Sequence, residues 1–574
     1  MVSIQTVATK PIPDQKMGTS GLRKRVKLIE STPNYLENFV QSILNVVLDT
    51  QQSGDVSIVL GGDGRYFNKQ AIQVIVQMLF ANRREKQNIK VLIAENGVMS
   101  TPAVSAVIRK YKTELGGLIL TASHNPGGPE NDWGIKYNAP NGGPANETTT
   151  DKIYQETLKI SEYKIARDLP SIDFAKVGPA YSQDHFSVEI IDSVKDYLEL
   201  LKTIFDFDAI KKLLSRKDFN FTFDAMHGAT GIYSEKILKA ELGAGQLLRS
   251  DNLPDFGGAH PDPNLTYAPE LVELMFDKQG NVDLGAASDG DGDRNMIIGK
   301  DFFVTPSDSV AVIADYAQKC IPYFKKSGIK GLARSMPTST AIDRVAQDLN
   351  VKCYETPTGW KFFGNLFDDG KLSICGEESF GTGSDHIREK DGLWAVLSWL
   401  SILAYEFEST GDKVTVASIV KQHWKKFGRS FYVRYDYENV DGQGANDLVQ
   451  RISEQIQQGG GDLLKAGTQY DDYKVESSEE FEYEDPVDKS VTKKQGLIVK
   501  FTDGSRFVIR LSGTGSSGAT VRLYMEKYIP YTQDQHDLIM SGDSKELVKP
   551  LFKVAQNITK LNHYTQRESP TVIT

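Results

Sequence analysis

The chain has 574 residues, which is too long for a single hydrophobic core and predicts about three to five domains. Hydrophobic residues make up 40% and charged residues 25% of the sequence, a composition typical of a soluble globular protein. The net charge of −10 and the pI near 5.5 give no support to binding of nucleic acid or of an acidic membrane surface.

The three cysteines, Cys320, Cys353 and Cys375, are widely spaced and form no CxxC pair. We therefore expect reduced core thiols of an intracellular protein, and neither a disulfide framework nor a zinc site. The N-terminus has no apolar signal core, and the longest apolar run covers 15 residues, 393–407, with two serines in it. A bilayer span needs about 20 apolar residues, so the sequence predicts a cytoplasmic protein without a transmembrane segment.

The first domain alternates between helix and strand, which is typical of an α/β domain. The predicted elements are helix 35–50, strand 56–60, helix 68–81, strand 90–94, helix 102–112 and strand 117–121. The turn Gly-Gly-Asp-Gly-Arg at 61–65 lacks G-x-G-x-x-G spacing and a Lys-Ser/Thr pair. We therefore interpret this turn as structural.

A loop rich in glycine and proline follows the last of these strands. Nine of the 22 residues from Ser123 to Pro144 are Gly or Pro. Pro126 favours an extended backbone before it, and the glycines allow angles that other residues avoid, so the loop should hold Ser123 at a fixed, accessible position. Ser123 and His124 are adjacent on a segment expected to be extended and should point to opposite faces, which disfavours a Ser-His-Asp hydrolase.

The second domain carries three acidic residues separated only by glycine. A strand leads into Asp289, Asp291 and Asp293. Three carboxylates this close repel one another unless a cation compensates, and their oxygens suit a hard divalent ion. An EF-hand would need Gly and Glu where Arg294 and Lys300 stand, so we exclude a calcium-sensor loop.

The third domain repeats the α/β pattern. Thr305 and Pro306 are typical of a helix start, as the cap and the first helical residue. The elements predicted after this helix are strand 331–335, helix 339–349 and strand 352–356. A later loop contains a Glu-Glu-Ser run, which on its own is usually a helix cap.

The last domain contains a second glycine-rich loop, 512–518, between strands predicted over 506–511 and 519–526. Three of its glycines fit G-x-G-x-x-G, but a strand follows where a dinucleotide fingerprint needs a helix. A Gly/Ser/Thr loop between strands exposes backbone N–H groups in a nest that suits phosphate. Arg510 and Arg522 flank the loop and could bind phosphate in a bidentate way.

The element order predicts three similar mixed-sheet α/β domains and a C-terminal α+β domain, and the family resemblance given below implies that they surround a central cleft. The expected domain bounds are 1–200, 201–319, 320–418 and 419–574. Three connecting segments complete this prediction: an irregular stretch over 139–190, an amphipathic connection over 189–205 and a solvated acidic excursion over 476–485.

Five segments together resemble the α-D-phosphohexomutases, and their wording looks like the phosphoglucomutase branch. They occur in the family's order over nearly the whole chain. The segments are Gly-Thr-Ser-Gly-Leu-Arg at 18–23, Thr-Ala-Ser-His-Asn-Pro at 121–126 with Gly-Ile-Lys at 134–136, Asp-Gly-Asp-Gly-Asp-Arg at 289–294, Gly-Glu-Glu-Ser at 376–379 and the loop at 510–522.

The resemblance implies a role for individual residues. Ser123 would carry the phosphate and share a metal ion with Asp289, Asp291 and Asp293. The other catalytic residues implied are Arg23, His124, Lys136, Arg294 and Lys390. The substrate-binding residues implied are Ser20, Thr358, Gly359, Glu377, Ser379, Arg510, Ser512, Gly513, Thr514, Gly515, Ser516 and Arg522. His124, Lys136 and Lys390 all remain candidates for handling the proton, and either lysine would need a lowered pKa to act as a base near neutrality.

The resemblance also implies the reaction: interconversion of glucose 1-phosphate and glucose 6-phosphate through a phosphoserine enzyme. Mg²⁺ would be the cofactor, glucose 1,6-bisphosphate the intermediate and activator, and a hexose phosphate the partner. Two alternatives stay open. One is a mutase for another hexose phosphate, of mannose or N-acetylglucosamine. The other is a phosphorylated scaffold protein on a mutase fold, as is suggested for parafusin-like relatives in secretion.

Overall fold

The structure is a computed structural model that describes residues 2–18, 21–51, 54–84, 87–277, 280–512 and 518–574. The chain forms two compact units. The first unit comprises Met1–Lys330 and Gly359–Ala417, and the second comprises Gly331–Thr358 and Ser418–Thr574. None of the helices in the described ranges combines the length and the apolar composition that crossing a membrane requires.

The first unit begins with a seven-stranded mixed sheet. Its four middle strands run parallel, and the outer ones pair in antiparallel fashion. Strand residues such as Val59, Leu92 and Leu118 are fully buried, as expected for apolar runs covered on both faces. In spatial order the strands are Leu22–Arg25, Asp132–Asn138, Gly117–Leu120, Val56–Gly62, Ile89–Val98, Phe186–Ile191 and Gly178–Gln183.

The chain reverses its direction of travel across this sheet. From Val56–Gly62 it moves outward to Ile89–Val98, and it then returns past the first strand to Gly117–Leu120. In parallel α/β sheets such a reversal leaves a crevice at the carboxyl ends of the two strands on either side of it. Here those strands are Val56–Gly62 and Gly117–Leu120, and the second one leads directly to Ser123.

A five-stranded mixed sheet follows, in which the middle strand Leu284–Ser288 leads into the acidic loop. Its order is Gln246–Leu248, Phe221–Asp224, Leu284–Ser288, Asn295–Gly299 and Phe302–Val304. Two short pairs complete the strands of the first unit, Gln5–Ala8 with Glu162–Ile165 and Ile374–Gly376 with Thr382–Ser384.

Some helices of the first unit begin at capping residues that satisfy a free N–H group. Ser100 accepts a hydrogen bond from Ala103 N at 3.3 Å, and Thr305 accepts one from Asp308 N at 3.2 Å, so the predicted cap at Thr305 is confirmed. The helices are Val26–Ser31, Tyr35–Asp49, Asn68–Ala81, Thr101–Tyr111, Glu147–Thr157, Lys195–Ile204, Phe207–Leu214, Thr230–Tyr233 continued by the π-helix Ser234–Glu241, the 3₁₀ turn Phe256–Gly258, Pro269–Phe276, Pro306–Cys320, Pro322–Ser327, Lys361–Asp368 and Gly392–Thr410.

The second unit contains the parallel pair Gly331–Ser335 and Lys352–Thr356, a seven-stranded antiparallel sheet and the small pair Tyr483–Glu484 with Val491–Thr492. The order of the large sheet is Gln469–Tyr470, Tyr473–Glu480, Leu497–Phe501, Arg506–Ser512, Ala519–Ile529, Arg429–Val440 and Val572–Ile573. Its helices are Ala341–Asp348, most of Val416–Phe427, Gly442–Gln457, the 3₁₀ turn Gln533–Gln535, His536–Ser541, Ser544–Thr559 and Leu561–Thr565.

Three sequence predictions about connecting segments are wrong. The stretch 139–190 is not irregular, since it holds a helix and three strands. The predicted connection 189–205 begins inside strand Phe186–Ile191, and its helix starts only at Lys195. The first half of the acidic segment 476–485 lies in strand Tyr473–Glu480, where residues 476–480 are exposed or half-exposed, so the segment is solvated but is not an excursion between strands.

Candidate active site

Ser123 is held in an unusual backbone conformation. Its φ is +54°, a left-handed value that costs energy in a residue with a Cβ atom. The residue is only 4% exposed, so the prediction of an accessible serine is wrong. The backbone N–H of Ser123 donates to Thr121 Oγ1 at 2.8 Å, and Arg65 donates to the Ser123 carbonyl at 2.9 Å. Asp63 binds both supports, at 2.6 Å from the Thr121 hydroxyl and 2.9 Å from Arg65 Nε. The turn interpreted as structural therefore fixes the serine.

The hydroxyl of Ser123 faces a carboxylate and a histidine. Its Oγ donates to Asp289 Oδ2 at 3.1 Å and lies 3.4 Å from His124 Nδ1. The expectation that Ser123 and His124 point to opposite faces is wrong. It required an extended backbone, whereas Ser123 has a left-handed one. The partner of the hydroxyl is nevertheless a carboxylate of the acidic loop, in an arrangement unlike a hydrolytic triad.

The acidic loop brings Asp289, Asp291 and Asp293 together, and one oxygen from each lies within 4.8 Å of the others. All three residues are buried. Gly292 between them has φ +80°, a value that favours glycine and explains why the acidic residues alternate with it. Asp289 Oδ1 accepts the backbone N–H groups of Asp293 and Arg294, both at 3.0 Å. The strand end and this turn point three carboxylates at one place.

Two oxygens of this cluster fit a metal ion. Asp291 Oδ1 and Asp293 Oδ1 are buried and accept no hydrogen bond from any described residue. Burying a carboxylate oxygen without a partner is costly, and a hard divalent cation satisfies such oxygens well. Burial, together with the neighbouring carboxylates, raises the pKa of Asp289 well above its usual value. The residues present can therefore hold a metal ion, as predicted from the sequence.

Two lysines approach the carboxylates. Lys136 Nζ lies 2.7 Å from Glu389 Oε1, with 9% and 1% of the two side chains exposed, and Lys390 Nζ lies 3.2 Å from Asp293 Oδ2. Burial acts to lower the pKa of Lys136, but Glu389, Asp291 and Asp293 outweigh it and raise this pKa. Lys136 therefore lacks the lowered pKa that a base near neutrality requires.

Two arginines belong to the same region. Arg23 lies on strand Leu22–Arg25 opposite Gly134, and burial lowers its pKa although Asp291 acts against this. Arg294 follows the acidic loop, and its Nη1 lies 3.6 Å from Asp262 Oδ1. Ser20, the other residue implied at this end of the chain, lies outside the described residues.

The Gly-Glu-Glu-Ser segment forms the turn between strands Ile374–Gly376 and Thr382–Ser384 and is not a helix cap. Glu377 is 4% exposed, and its Oε1 accepts the backbone N–H of Gly359 at 3.1 Å. Burial raises the pKa of Glu377, while Lys390 opposes this rise. The side chain of Lys390 packs directly against Gly381. A Cβ atom added to Gly381 would lie only 2.5 Å from Lys390 Cδ. Ser379 is partly exposed in the same turn. The first unit thus brings the serine, acidic and Glu377 loops together.

The second unit carries the remaining implied residues. Arg510 and Arg522 lie directly opposite each other on neighbouring strands, and Asp436 lies opposite Arg522 on the next strand. Arg522 Nε is 3.6 Å from Asp436 Oδ2, and Arg510 Nε donates to the Gln495 carbonyl at 3.0 Å. Ser512 and Thr358 are partly exposed in this unit, whereas Gly513, Thr514, Gly515 and Ser516 lie outside the described residues.

Family models match the chain along most of its length. Models of phosphoglucomutase/phosphomannomutase alpha/beta/alpha domains I, II and III match residues 14–164, 195–301 and 305–427. A model of the phosphoglucomutase-1 C-terminal domain matches residues 429–571. The chain belongs to the phosphoglucomutase/phosphomannomutase family. It is accordingly an enzyme, an intramolecular phosphotransferase of the isomerase class, and the predicted class of three α/β domains and a distinct C-terminal domain is confirmed.

Individual members of this family are similar over the full chain. A chloroplastic phosphoglucomutase of Arabidopsis thaliana is 55% identical over 100% of this chain and 89% of its own length. Cytoplasmic phosphoglucomutase 1 of Zea mays is 53% identical over 100% of both chains. A crystal structure of the exocytosis-sensitive phosphoprotein parafusin (phosphoglucomutase) from Paramecium, in an open form, is 47% identical, covers 100% of this chain and 99% of that one, and has a TM-score of 0.89.

Several residues that shape the site were not singled out from the sequence. Thr101 donates to Asp291 Oδ2 at 2.7 Å, Glu389 binds Lys136, and Asp262 approaches Arg294. Arg65 was noticed only as part of a structural turn. Two features of the sequence could have pointed to these residues. Glu389 directly precedes Lys390, and Thr101 begins the helix that follows a parallel strand.

Proposed function

We propose that this enzyme interconverts glucose 1-phosphate and glucose 6-phosphate through a phosphorylated Ser123 and a glucose 1,6-bisphosphate intermediate. One observation carries the proposal: the Ser123 hydroxyl lies 3.1 Å from Asp289 inside a buried cluster of three carboxylates. A hydrolytic serine would need a base and an oxyanion site, whereas a phosphoryl carrier needs charge compensation for phosphate oxygens. Relatives named phosphoglucomutase over the full chain support the same reading.

In the proposed reaction Ser123 gives up its phosphoryl group and then receives one. The bond between phosphorus and Ser123 Oγ breaks, a bond from phosphorus to a sugar hydroxyl oxygen forms, and the proton of that hydroxyl passes through a base to Ser123 Oγ. The bisphosphate then presents its other phosphoryl group and Ser123 Oγ attacks it. The serine proton passes through the base to the sugar oxygen that is released, and the isomeric monophosphate leaves. Atoms and charges balance over the two transfers, because the second restores the phosphoserine that the first consumed.

We assign Mg²⁺ to Asp289, Asp291 and Asp293, with the phosphate on Ser123 as a further ligand. The unpartnered buried oxygens of Asp291 and Asp293 support this assignment. When bound, the ion supplies positive charge that neutralises phosphoryl oxygens in the transition state. Arg294, Arg23 and Lys390 add fixed positive charge around the same oxygens.

For the proton acceptor we favour His124 among the three candidates. A base must lie within reach of the transferred proton and be unprotonated near neutral pH. His124 Nδ1 lies 3.4 Å from Ser123 Oγ, the hydroxyl that must lose its proton when it attacks the bisphosphate. Lys136 has a raised pKa, and Lys390 already faces the Asp293 carboxylate, so both lysines serve better as cations.

Recognition of the substrate is assigned to two groups of residues. Glu377 and Ser379, with Thr358 and Gly359, would bind the sugar hydroxyls. Arg510 and Arg522 would bind the phosphate that does not react, together with Ser512 and the residues 513–516, and Ser20 would assist at the serine loop. The two arginines face each other across neighbouring strands, an arrangement of like charges that favours an anion between them.

The test is a coupled assay that measures glucose 6-phosphate formed from glucose 1-phosphate, with and without Mg²⁺ and glucose 1,6-bisphosphate. We expect turnover that requires the metal and is activated by the bisphosphate, and none for Ser123→Ala, whose folding should be intact by circular dichroism. Near-normal turnover of that variant would falsify the role of Ser123. Absence of turnover by the natural chain would favour a scaffold function instead.

Two finer assignments are tested separately. Turnover on the 1-phosphates of glucose, mannose and N-acetylglucosamine, compared in the same assay, decides the sugar specificity, and we expect glucose 1-phosphate to react fastest.

We also propose that the enzyme works in the cytoplasm, which is supported by relatives named cytoplasmic and by three unpaired cysteines. A fluorescent fusion confined to an organelle would contradict this location.

A further inference from the structure

Glu389 binds two residues of the strand that returns from the serine loop. Its Oε1 accepts a hydrogen bond from Lys136 Nζ at 2.7 Å and another from Asn138 Nδ2 at 2.9 Å. Lys136 and Asn138 are two positions apart on strand Asp132–Asn138, so their side chains leave the same face. Only 1% of the Glu389 side chain is exposed. One carboxylate oxygen therefore fixes this face of the strand without help from solvent.

The residues that follow Glu389 are also fixed. Lys390 faces Asp293 at 3.2 Å, and the Gly392 N–H donates to the Gly292 carbonyl of the acidic loop at 3.1 Å. Asp391 accepts the Tyr197 hydroxyl at 2.6 Å and lies 2.9 Å from His386 Nε2. Consecutive residues thus join one segment to the acidic loop and to a buried hydrogen-bond network. The carboxylate of Glu389 consequently has little freedom to follow Lys136 if that lysine moves.

We propose that Glu389 is a positioning residue of the phosphoryl-transfer site, which holds Lys136 as a fixed cation opposite Asp291 and Asp293. The proposal rests on the function proposed above. Charge is the reason that such a residue is needed. A buried lysine without a partner loses its proton or moves to water, and either change would remove positive charge from beside the carboxylates.

Three carboxylates act on Lys136 in the same direction. They are Glu389, and Asp291 and Asp293 from the acidic loop, and together they keep Lys136 protonated against its burial. Asp291 and Asp293 are also assigned to the metal ion, whereas Glu389 hydrogen-bonds Lys136 and Asn138. Glu389 is therefore the partner of Lys136 that takes no part in the proposed metal site.

The test compares Glu389→Gln with Glu389→Asp in the full-length enzyme. Gln keeps the shape and removes the charge, so kcat should fall by about 10- to 100-fold while KM for glucose 1-phosphate changes less than about threefold. Without its counter-ion Lys136 should deprotonate at lower pH, and the alkaline limb of the kcat profile should move to lower pH. Glu389→Asp keeps the charge, so this variant should retain most of the kcat of the natural enzyme and the position of its alkaline limb.

A double-mutant cycle shows whether Glu389 acts through Lys136. If it does, Lys136→Met and Lys136→Met with Glu389→Gln should have the same kcat, because the second change removes a partner that is already gone. Asp196→Asn is the matched control. It removes the carboxylate 2.7 Å from Lys110 Nζ in the same unit, and it should leave kcat and the pH profile unchanged.

Several outcomes overturn the proposal. Unchanged kcat in Glu389→Gln would do so, as would a further fall in the double variant or an unmoved alkaline limb. Thermal melting of each variant separates these results from a loss of folded protein, and Glu389→Asp provides a reading if the Gln variant unfolds. An inactive natural enzyme would contradict the proposed function instead, so the two failures can be told apart.

Discussion

Buried carboxylates in the two units differ in how their oxygens are satisfied. In the second unit both oxygens of Glu526 are engaged, since Oε1 accepts from the Thr340 and Ser430 hydroxyls, both at 2.7 Å, and Oε2 accepts from Arg506 Nε at 2.8 Å. In the first unit Asp291 and Asp293 each keep one buried oxygen without a hydrogen bond from any described residue. The hydrogen bonding of Glu526 is complete, whereas the acidic loop of the first unit needs a further partner.

The pKa values of Glu526 and Asp289 shift in opposite directions. Burial acts against the charge of Glu526, but its arginine neighbours outweigh burial and lower its pKa to about 2. For Asp289, burial together with Asp291 and Asp293 outweighs the opposing effect of Arg294 and raises the pKa. Buried charge that the protein satisfies by itself stabilises the fold, whereas buried charge left partly unsatisfied marks a place that a ligand completes.

The largest expected effect is that of Asp291→Asn in the acidic cluster. Removing one of three carboxylates should weaken metal binding and lower kcat on the order of 10³-fold, because little charge compensation then remains for the phosphoryl oxygens. Burial opposes the charge of Asp291, but Lys136, Thr101 and Lys390 outweigh burial and lower its pKa. The free energy of unfolding without metal should therefore fall when this charge is removed. Titration of activity and of protein fluorescence with Mg²⁺ checks the effect on metal binding and kcat, and urea unfolding without metal checks the effect on stability. A variant that keeps its metal affinity would contradict the assignment.

Glu526→Gln should act on folding stability rather than on metal binding. The pKa of Glu526 lies below that of an unfolded glutamate, so its stabilisation is present above about pH 4.5 and is lost as the pH falls towards 2. A shift of this size is worth about 3 kcal/mol at neutral pH. We expect the variant to lose about this much unfolding free energy in urea at pH 7, with a smaller loss at pH 3. A constant difference between the two pH values would contradict the assignment.

Arg65→Lys tests the support behind Ser123. Lysine keeps the charge beside Asp63 but lacks the planar guanidinium fork with which Arg65 donates to the carbonyls of Ser123 and Asp132 together. We expect kcat to fall about 10- to 100-fold through misplacement of the serine, with Mg²⁺ affinity unchanged. Steady-state kinetics alongside the metal titration checks this, and a change in metal affinity alone would show that Arg65 serves the acidic loop.

The smallest effect is expected for Thr101→Val. This change removes the hydrogen bond that Asp291 Oδ2 accepts at 2.7 Å and keeps the shape of the side chain. One such bond to a charged group is worth about 1.5 kcal/mol at the lower end of the usual range, so kcat or Mg²⁺ affinity should change by about 10-fold. Kinetics and metal titration measure both, and an effect as large as that of Asp291→Asn would mean that Thr101 itself contacts the reacting groups.

The sequence predicted the parts of the site whose residues lie close together within one short segment. The serine loop and the alternating Asp-Gly residues lie in short stretches whose glycines and prolines restrict the backbone, so their chemistry could be inferred before their positions. The supports could not be inferred in this way. Arg65 reaches Ser123 across 58 residues, Thr101 reaches Asp291 across 190, and Lys136 reaches Glu389 across 253.

Local structure was predicted well where periodicity was strong, as in helix Asn68–Ala81 and strands Gly331–Ser335 and Lys352–Thr356, whose bounds are confirmed. It failed where pairing decided the outcome. The acidic segment becomes strand Tyr473–Glu480 because it pairs with Leu497–Phe501. The left-handed backbone at Ser123 depends on Arg65 and Thr121, which the loop composition does not reveal.

The most direct test of the account is to find where the phosphate is carried. The purified enzyme is incubated with glucose 1,6-bisphosphate labelled with ³²P and freed of ligand, and the label is mapped by mass spectrometry of its peptides. The account predicts one labelled residue, Ser123, whose phosphate passes to unlabelled glucose 1-phosphate when Mg²⁺ is added. Label on another residue, or label on Ser123 that no sugar phosphate removes, would contradict it.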